Sequence, residues 1–153
     1  MSSKSVILIV EGHFYKDIAD QLAEGMIAEI QNAGFLYERI SVPGVFEVPA
    51  AISMAVNRPL ATDKKSYVGY IASGCVIKGE TDHYNYICQE VTRGIMKIGL
   101  DYGVPIGFGI LTCKNREQAI ERALVEKKNK GGDAAKACLR LIELAQKFGK
   151  GSH

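Results

Sequence analysis

Ten residues, Gly74 to His83 (GCVIKGETDH), combine groups suited to holding an anion with a side chain suited to moving a proton. The stretch joins the apolar run ending at Ile77 to a helix start, with Lys78-Gly79-Glu80-Thr81 as the turn and His83 in the first helical turn. Backbone N–H groups and the positive end of a helix dipole attract phosphate or another oxyanion without a basic side chain. Imidazole titrates nearest neutral pH, which makes His83 a candidate acid/base. Gly74 to Thr81 nearly matches the P-loop pattern, but Glu80 occupies the lysine position. A carboxylate there repels β- and γ-phosphates, so a nucleoside triphosphatase is excluded while a monoester phosphate at the N–H groups of Glu80 and Thr81 is not. The competing readings are a plain tight turn and a surface or capping histidine.

Such a stretch acts only if the elements around it bring other groups to the same place. Val6 to Val10 is a continuous apolar run, as expected of a central parallel strand covered on both faces. Ile18, Leu22, Met26 and Ile30 recur every four residues and predict an amphipathic helix ending near Gly34. Tyr37 to Val42 reads as the second strand, and Pro49 opens a helix-compatible segment over Ala50 to Val56. Tyr67 to Ile77 is the third strand. The helix from Asp82 to about Leu100 carries Ile87, Val91, Ile95 and Ile98 on one side, with the Asp82 carboxylate as its expected cap. Val104 to Leu111 reads as the fourth strand, followed by helices over Glu117 to Leu124 and Gly132 to Phe148. Alternating β and α units with right-handed crossovers predict one α/β domain over residues 1–153, a three-layer doubly wound fold with a four-stranded parallel sheet and helices on both faces.

In a parallel sheet all strand-to-helix junctions share one edge. That edge would gather His13-Phe14-Tyr15, Pro43-Gly44-Val45-Phe46-Glu47, the Lys78 to His83 turn and the segment from Thr112. Phe14 and Phe46 can clamp a flat ring, with Glu47 accepting hydrogen bonds from a polyol or amine; alternatively both rings cap the sheet edge and Glu47 is solvated. Arg122, Lys127, Lys128 and Lys130 form a late basic group, and an arginine can hold phosphate with two parallel hydrogen bonds. Such a cluster is usually a solvated helix end, where cations suit the dipole; the alternative is that Arg122, which need not reach the third junction within one chain, serves a neighbouring subunit's site.

Composition narrows the classes further. Nineteen Lys and Arg against 17 Asp and Glu give a net charge of +2, too small and scattered for a nucleic-acid surface. The sequence has no apolar run of about 18 residues and no signal-peptide pattern, which predicts a cytoplasmic protein without membrane association. Cys75, Cys88, Cys113 and Cys138 are widely spaced without a CxxC pair and are expected to be reduced. Two internal histidines without matching Cys, Asp or Glu spacing do not make a zinc site, and Gly151-Ser152-His153 reads as a cloning remnant.

Four segments together resemble the lumazine synthase family over nearly the whole chain. Val42 to Pro49 is similar to VPGAFEIP, Gly74 to Thr81 to GCVIRGET, Glu117 to Arg122 is EQAIER, and Asn129-Lys130-Gly131 is NKG. The resemblance implies condensation of 5-amino-6-(D-ribitylamino)uracil with 3,4-dihydroxy-2-butanone 4-phosphate to 6,7-dimethyl-8-ribityllumazine, with no cofactor or metal. By resemblance, Phe14 stacks on the pyrimidine, Val45, Phe46 and Glu47 hold the ring and ribityl chain, and Cys75, Val76 and Ile77 contact the heterocycle through the backbone. Glu80 and Thr81 would bind the phosphate and His83 would transfer protons. Phe108, Arg122 and Lys130 would come from the adjacent subunit of a homo-oligomer, a pentamer or a larger shell, with riboflavin synthase as a further partner. The short lead of Met1 to Ser5 favours a small assembly.

The chain departs from the family pattern at three places. His13-Phe14-Tyr15 replaces Arg-Phe-Asn, so the ring is kept while the asparagine contact is lost or taken over by the phenol. Leu124-Val125-Glu126 replaces a Gly-Thr segment beside Arg122, and Lys78 replaces an arginine and loses its planar fork. These changes keep open a catalytically weak, lumazine- or riboflavin-binding or shell-forming paralogue. A flavodoxin-like electron carrier is suggested by architecture alone, which does not determine function.

Overall fold

The computed structural model describes residues 5–58 and 66–149. The short lead at residues 1–4 and the Gly151 to His153 tail lie outside the described residues. The element order is β1 (Val6–Gly12), α1 (Lys16–Asn32), β2 (Leu36–Val42), a 3-10 turn (Val45–Glu47), α2 (Val48–Asn57), β3 (Tyr67–Ile77), α3 (His83–Tyr102), β4 (Ile106–Cys113), α4 (Arg116–Ala123) and α5 (Lys130–Lys147). The strands form a parallel sheet in the order β2-β1-β3-β4. This is the α/β three-layer, flavodoxin-like arrangement, and its strand order reverses between β1 and β3.

Alternation along the strands explains why β1 and β3 read as unbroken apolar runs. Ile7, Ile9 and Ile71 face α1, α4 and α5, where they meet Leu22, Met26 and Cys138. Leu8, Val10 and Ala72 face the other way, toward Val48, Ile52, Val91 and Ile95 on α2 and α3. Each such large aliphatic side chain, fully buried, contributes about 1.5–3 kcal/mol. The four α1 positions spaced by four residues, Ile18, Leu22, Met26 and Ile30, are all buried.

Most elements differ from the sequence expectation by one or two residues at one or both ends, the fourth strand at both. The fourth strand begins at Ile106 rather than Val104 and runs on to Cys113. Pro105 lacks an N–H, so before Ile106 the ladder to β3 is carried by its carbonyl, which accepts from Tyr70 N at 2.9 Å. β2 is an edge strand with Leu36, Tyr37 and Ile40 exposed. It is fixed from inside: Arg39 donates to both oxygens of the buried Glu11 carboxylate at 2.7 and 3.0 Å and to Asp20 at 3.0 Å. Hydrogen bonds from Lys16 and then Arg39 hold the Asp20 carboxyl below its ordinary value. The four cysteines are free thiols.

Candidate active site

The site lies where β1 and β3 end, and two glycines create it. A Cβ on Gly12 would sit 2.6 Å from Val45 N, and one on Gly74 would sit 2.5 Å from Val45 Cγ1. Gly74 also has φ +145, a conformation that L side chains rarely adopt. Only bare backbone at both positions lets Val45 drop between the strand ends, where it is 7% exposed. The turn is then closed on itself. Glu47 N donates to Gly44 O at 3.2 Å, and Gly44 N donates to Glu47 Oε1 at 3.0 Å. His13 N donates to Val42 O at 2.9 Å and ties the exit of β1 to the end of β2.

A cavity of about 250 Å³ opens beside this turn. It brings together Phe14, Val45, Phe46, Cys75, Val76, Ile77 and His83, residues from three separate strand-to-helix junctions. Tyr15, Gly44 and Ile87 complete the lining. The walls are unlike one another. Val45 and Cys75 are buried and belong to the core, whereas Phe14 is 76% and Phe46 55% exposed. Burial pushes the Cys75 thiol up to about 12, with smaller contributions from Cys113, so at neutral pH it is a neutral, unreactive wall.

His83 is the first residue of the long helix α3, and its imidazole is exposed at the cavity rim. Asp82 does not cap this helix as expected. It already has helical backbone angles (φ -74, ψ 0), so its carboxylate is not turned back over the helix end; Thr81 Oγ1 accepts from His83 N at 3.2 Å instead. Glu80 and Thr81 are exposed, and among the described residues no protein group accepts a hydrogen bond from either N–H.

Glu80, Thr81 and the remaining expected residues lie off the cavity wall. Glu47 is exposed, with one carboxylate oxygen engaged by Gly44 N. Phe108 is 42% exposed on the edge strand β4. Arg122 is on α4 and donates to Gln118 O at 3.2 Å, while exposed Lys130 faces Asp133 at 3.5 Å. Gln118 has a second task that accounts for part of the EQAIER pattern. Its Oε1 accepts from Lys114 N at 2.8 Å while its own N–H donates to Asn115 Oδ1 at 2.9 Å, a reciprocal cap on α4.

The model of the family described as 6,7-dimethyl-8-ribityllumazine synthase matches residues 4–146. The chain belongs to that family. Two members described by that name are a protein of Bartonella tribocorum, 45% identical with 97% of this chain and 95% of its own length covered, and one of Agrobacterium fabrum, 46% identical with 96% and 99% covered. A solved structure, an NAD(P)H:quinone oxidoreductase from Methanothermobacter marburgensis, aligns at a TM-score of 0.39 and 12% identity over 99% of this chain and 100% of its own. Membership in the lumazine synthase family makes the chain a transferase of riboflavin biosynthesis. Among the described residues no helix is long and apolar enough to cross a membrane, and no three His, Cys, Asp or Glu side chains gather to hold a metal.

Sequence reasoning noted Tyr15 as a departure from the lumazine synthase pattern without assigning it to the site. The signal was available, since the residue after a strand-end aromatic sits on the same edge; what was missing was the direction of its side chain.

Proposed function

We propose that the cavity at the β1–β3 edge joins 5-amino-6-(D-ribitylamino)uracil to 3,4-dihydroxy-2-butanone 4-phosphate, releasing 6,7-dimethyl-8-ribityllumazine, phosphate and water. The observation that carries this reading is the convergence on one small cavity of two exposed aromatic rings, a backbone-rich strand end and a rim histidine. Phe14 offers a face to the pyrimidine, the Val45 to Glu47 turn receives the ribityl chain, and the backbone of Cys75, Val76 and Ile77 reads the edge of the heterocycle. The free N–H groups of Glu80 and Thr81 hold the ketone's phosphate.

The amine of the pyrimidine attacks the ketone carbon to form an imine with loss of water. Elimination then takes a proton from the carbon next to the imine and breaks the C–O bond to phosphate on the following carbon, leaving a double bond between them. Tautomerisation, ring closure and dehydration complete the second ring. Every step moves protons and none requires a covalent bond to the enzyme. His83, on the rim, exchanges protons with the amine and with the carbon between the imine and the phosphate-bearing carbon. Holding the two reactants face to face supplies up to about 7–11 kcal/mol in favourable systems, and a positioned acid/base about 100- to 10,000-fold.

Phe108, Arg122 and Lys130 lie off the wall of this chain's own cavity, which supports a shared site: a neighbouring subunit of a homo-oligomer brings the ring that closes the pocket and the cations that complete the phosphate site. The chain acts as one unit in the cytoplasm, and riboflavin synthase takes up its product. Mixing the purified protein with both substrates, without added metal or nucleotide, should generate the absorbance and fluorescence of the lumazine. A signal no faster than the uncatalysed reaction would sink the proposal, and product binding without turnover would point to a paralogue that kept the pocket alone.

A further inference from the structure

Phe14 poses a problem for the reading above, because a ring meant to stack on a pyrimidine is 76% exposed and so lacks core neighbours to fix its plane. An unfixed ring must be ordered when the ligand arrives, and that ordering subtracts from affinity. The adjacent residue is placed to prevent this. Tyr15 and Phe14 have ring centroids 4.9 Å apart at an interplanar angle of 88°, an edge-to-face pair. Tyr15 is itself anchored: its ring packs against the core cluster on the α1 side of the sheet, and its carbonyl accepts from Ala19 N at 3.0 Å in the first turn of α1. One end of the pair is held by the fold and the other stands in the cavity, which both rings line.

We propose that Tyr15 is a positioning residue that sets the plane of Phe14 before substrate binds, and does so through its ring rather than its hydroxyl. The inference rests on the assignment of Phe14 to the pyrimidine. It also gives the departure at position 15 a function: an aromatic after Phe14 exchanges a polar side chain for preorganisation of the stacking ring.

The test is a double-mutant cycle read by fluorescence titration of the assembled protein with 6,7-dimethyl-8-ribityllumazine. Tyr15→Leu should weaken binding roughly three- to tenfold, the range of an aromatic pair, and Tyr15→Phe should restore most of that loss. In a Phe14→Leu background the Tyr15→Leu change should cost little more, because the group it acts through is gone. Additive losses would overturn the inference, as would Tyr15→Phe binding as weakly as Tyr15→Leu. If Tyr15→Leu fails to fold, Tyr15→Met keeps bulk against the core without a ring edge and enters the same cycle. Wild-type protein that binds no lumazine would defeat the functional reading itself, and this inference with it; wild-type binding with additive losses would defeat the role of Tyr15 alone.

Discussion

Glu47 Oε1 accepts a hydrogen bond from the backbone N–H of Gly44 at 3.0 Å, closing the turn that carries Phe46 into the cavity. A carboxylate that would otherwise be read as a ligand group therefore also shapes the wall beside it. Glu47→Ala should lower stability by about 1 kcal/mol, the usual cost of a lost cap, and raise KM for the pyrimidine substrate. Glu47→Gln keeps an acceptor oxygen and should lose less on both counts. Thermal unfolding and steady-state kinetics on the two variants check this, and a KM change without any stability change would assign the carboxylate to the ligand alone.

Gly74→Ala is expected to be far more damaging, since the added methyl meets Val45 Cγ1 at 2.5 Å and the backbone at φ +145 resists any side chain. Strain of about 1–3 kcal/mol and overpacking of similar size act together. Denaturant unfolding should show a loss of roughly 2–5 kcal/mol on these grounds, and the surviving folded protein should bind the lumazine poorly.

His83 stands at the rim with its backbone fixed by Thr81 and its ring exposed. His83→Ala should slow turnover by about 100- to 10,000-fold while leaving product affinity within severalfold, because positioning of the two reactants survives. Complete loss of turnover in a folded, lumazine-binding variant would mean that the histidine does more than carry protons.

A shared site makes a prediction about mixtures. Arg122→Ala and His83→Ala should each be poorly active alone. Reassembled together after dissociation, they should recover activity, because some cavities then pair an intact His83 with an intact Arg122 from the neighbour. Mixtures no more active than the average of their parents would place both residues in one subunit's site.

The sequence was most informative where burial is continuous. β1, β3 and the four-residue spacing of α1 were legible because a strand covered on both faces and a helix with one buried stripe leave distinct patterns. The strand order and the exposed face of β2 were not, since Arg39 pairing with Glu11 links residues 28 apart and nothing local announces it. At the site, Phe14, Phe46 and His83 could be gathered onto one edge from topology alone. The seating of Val45 between Gly12 and Gly74 depends on three distant segments, and the capping role expected of Asp82 fell to Thr81 through backbone angles that side-chain type does not determine.

The two unlike walls of the cavity bear on how this protein can change. Val45 and Cys75 are interior residues that also line the cavity, so variation there is judged first by whether the chain folds. Phe14, Phe46 and His83 are exposed on the surface of the single subunit and can be exchanged at little risk to its folding. Ligand preference is therefore free to drift along one side of the cavity while the opposite side stays fixed, and relatives with altered chemistry should differ on the exposed rim and agree beneath it.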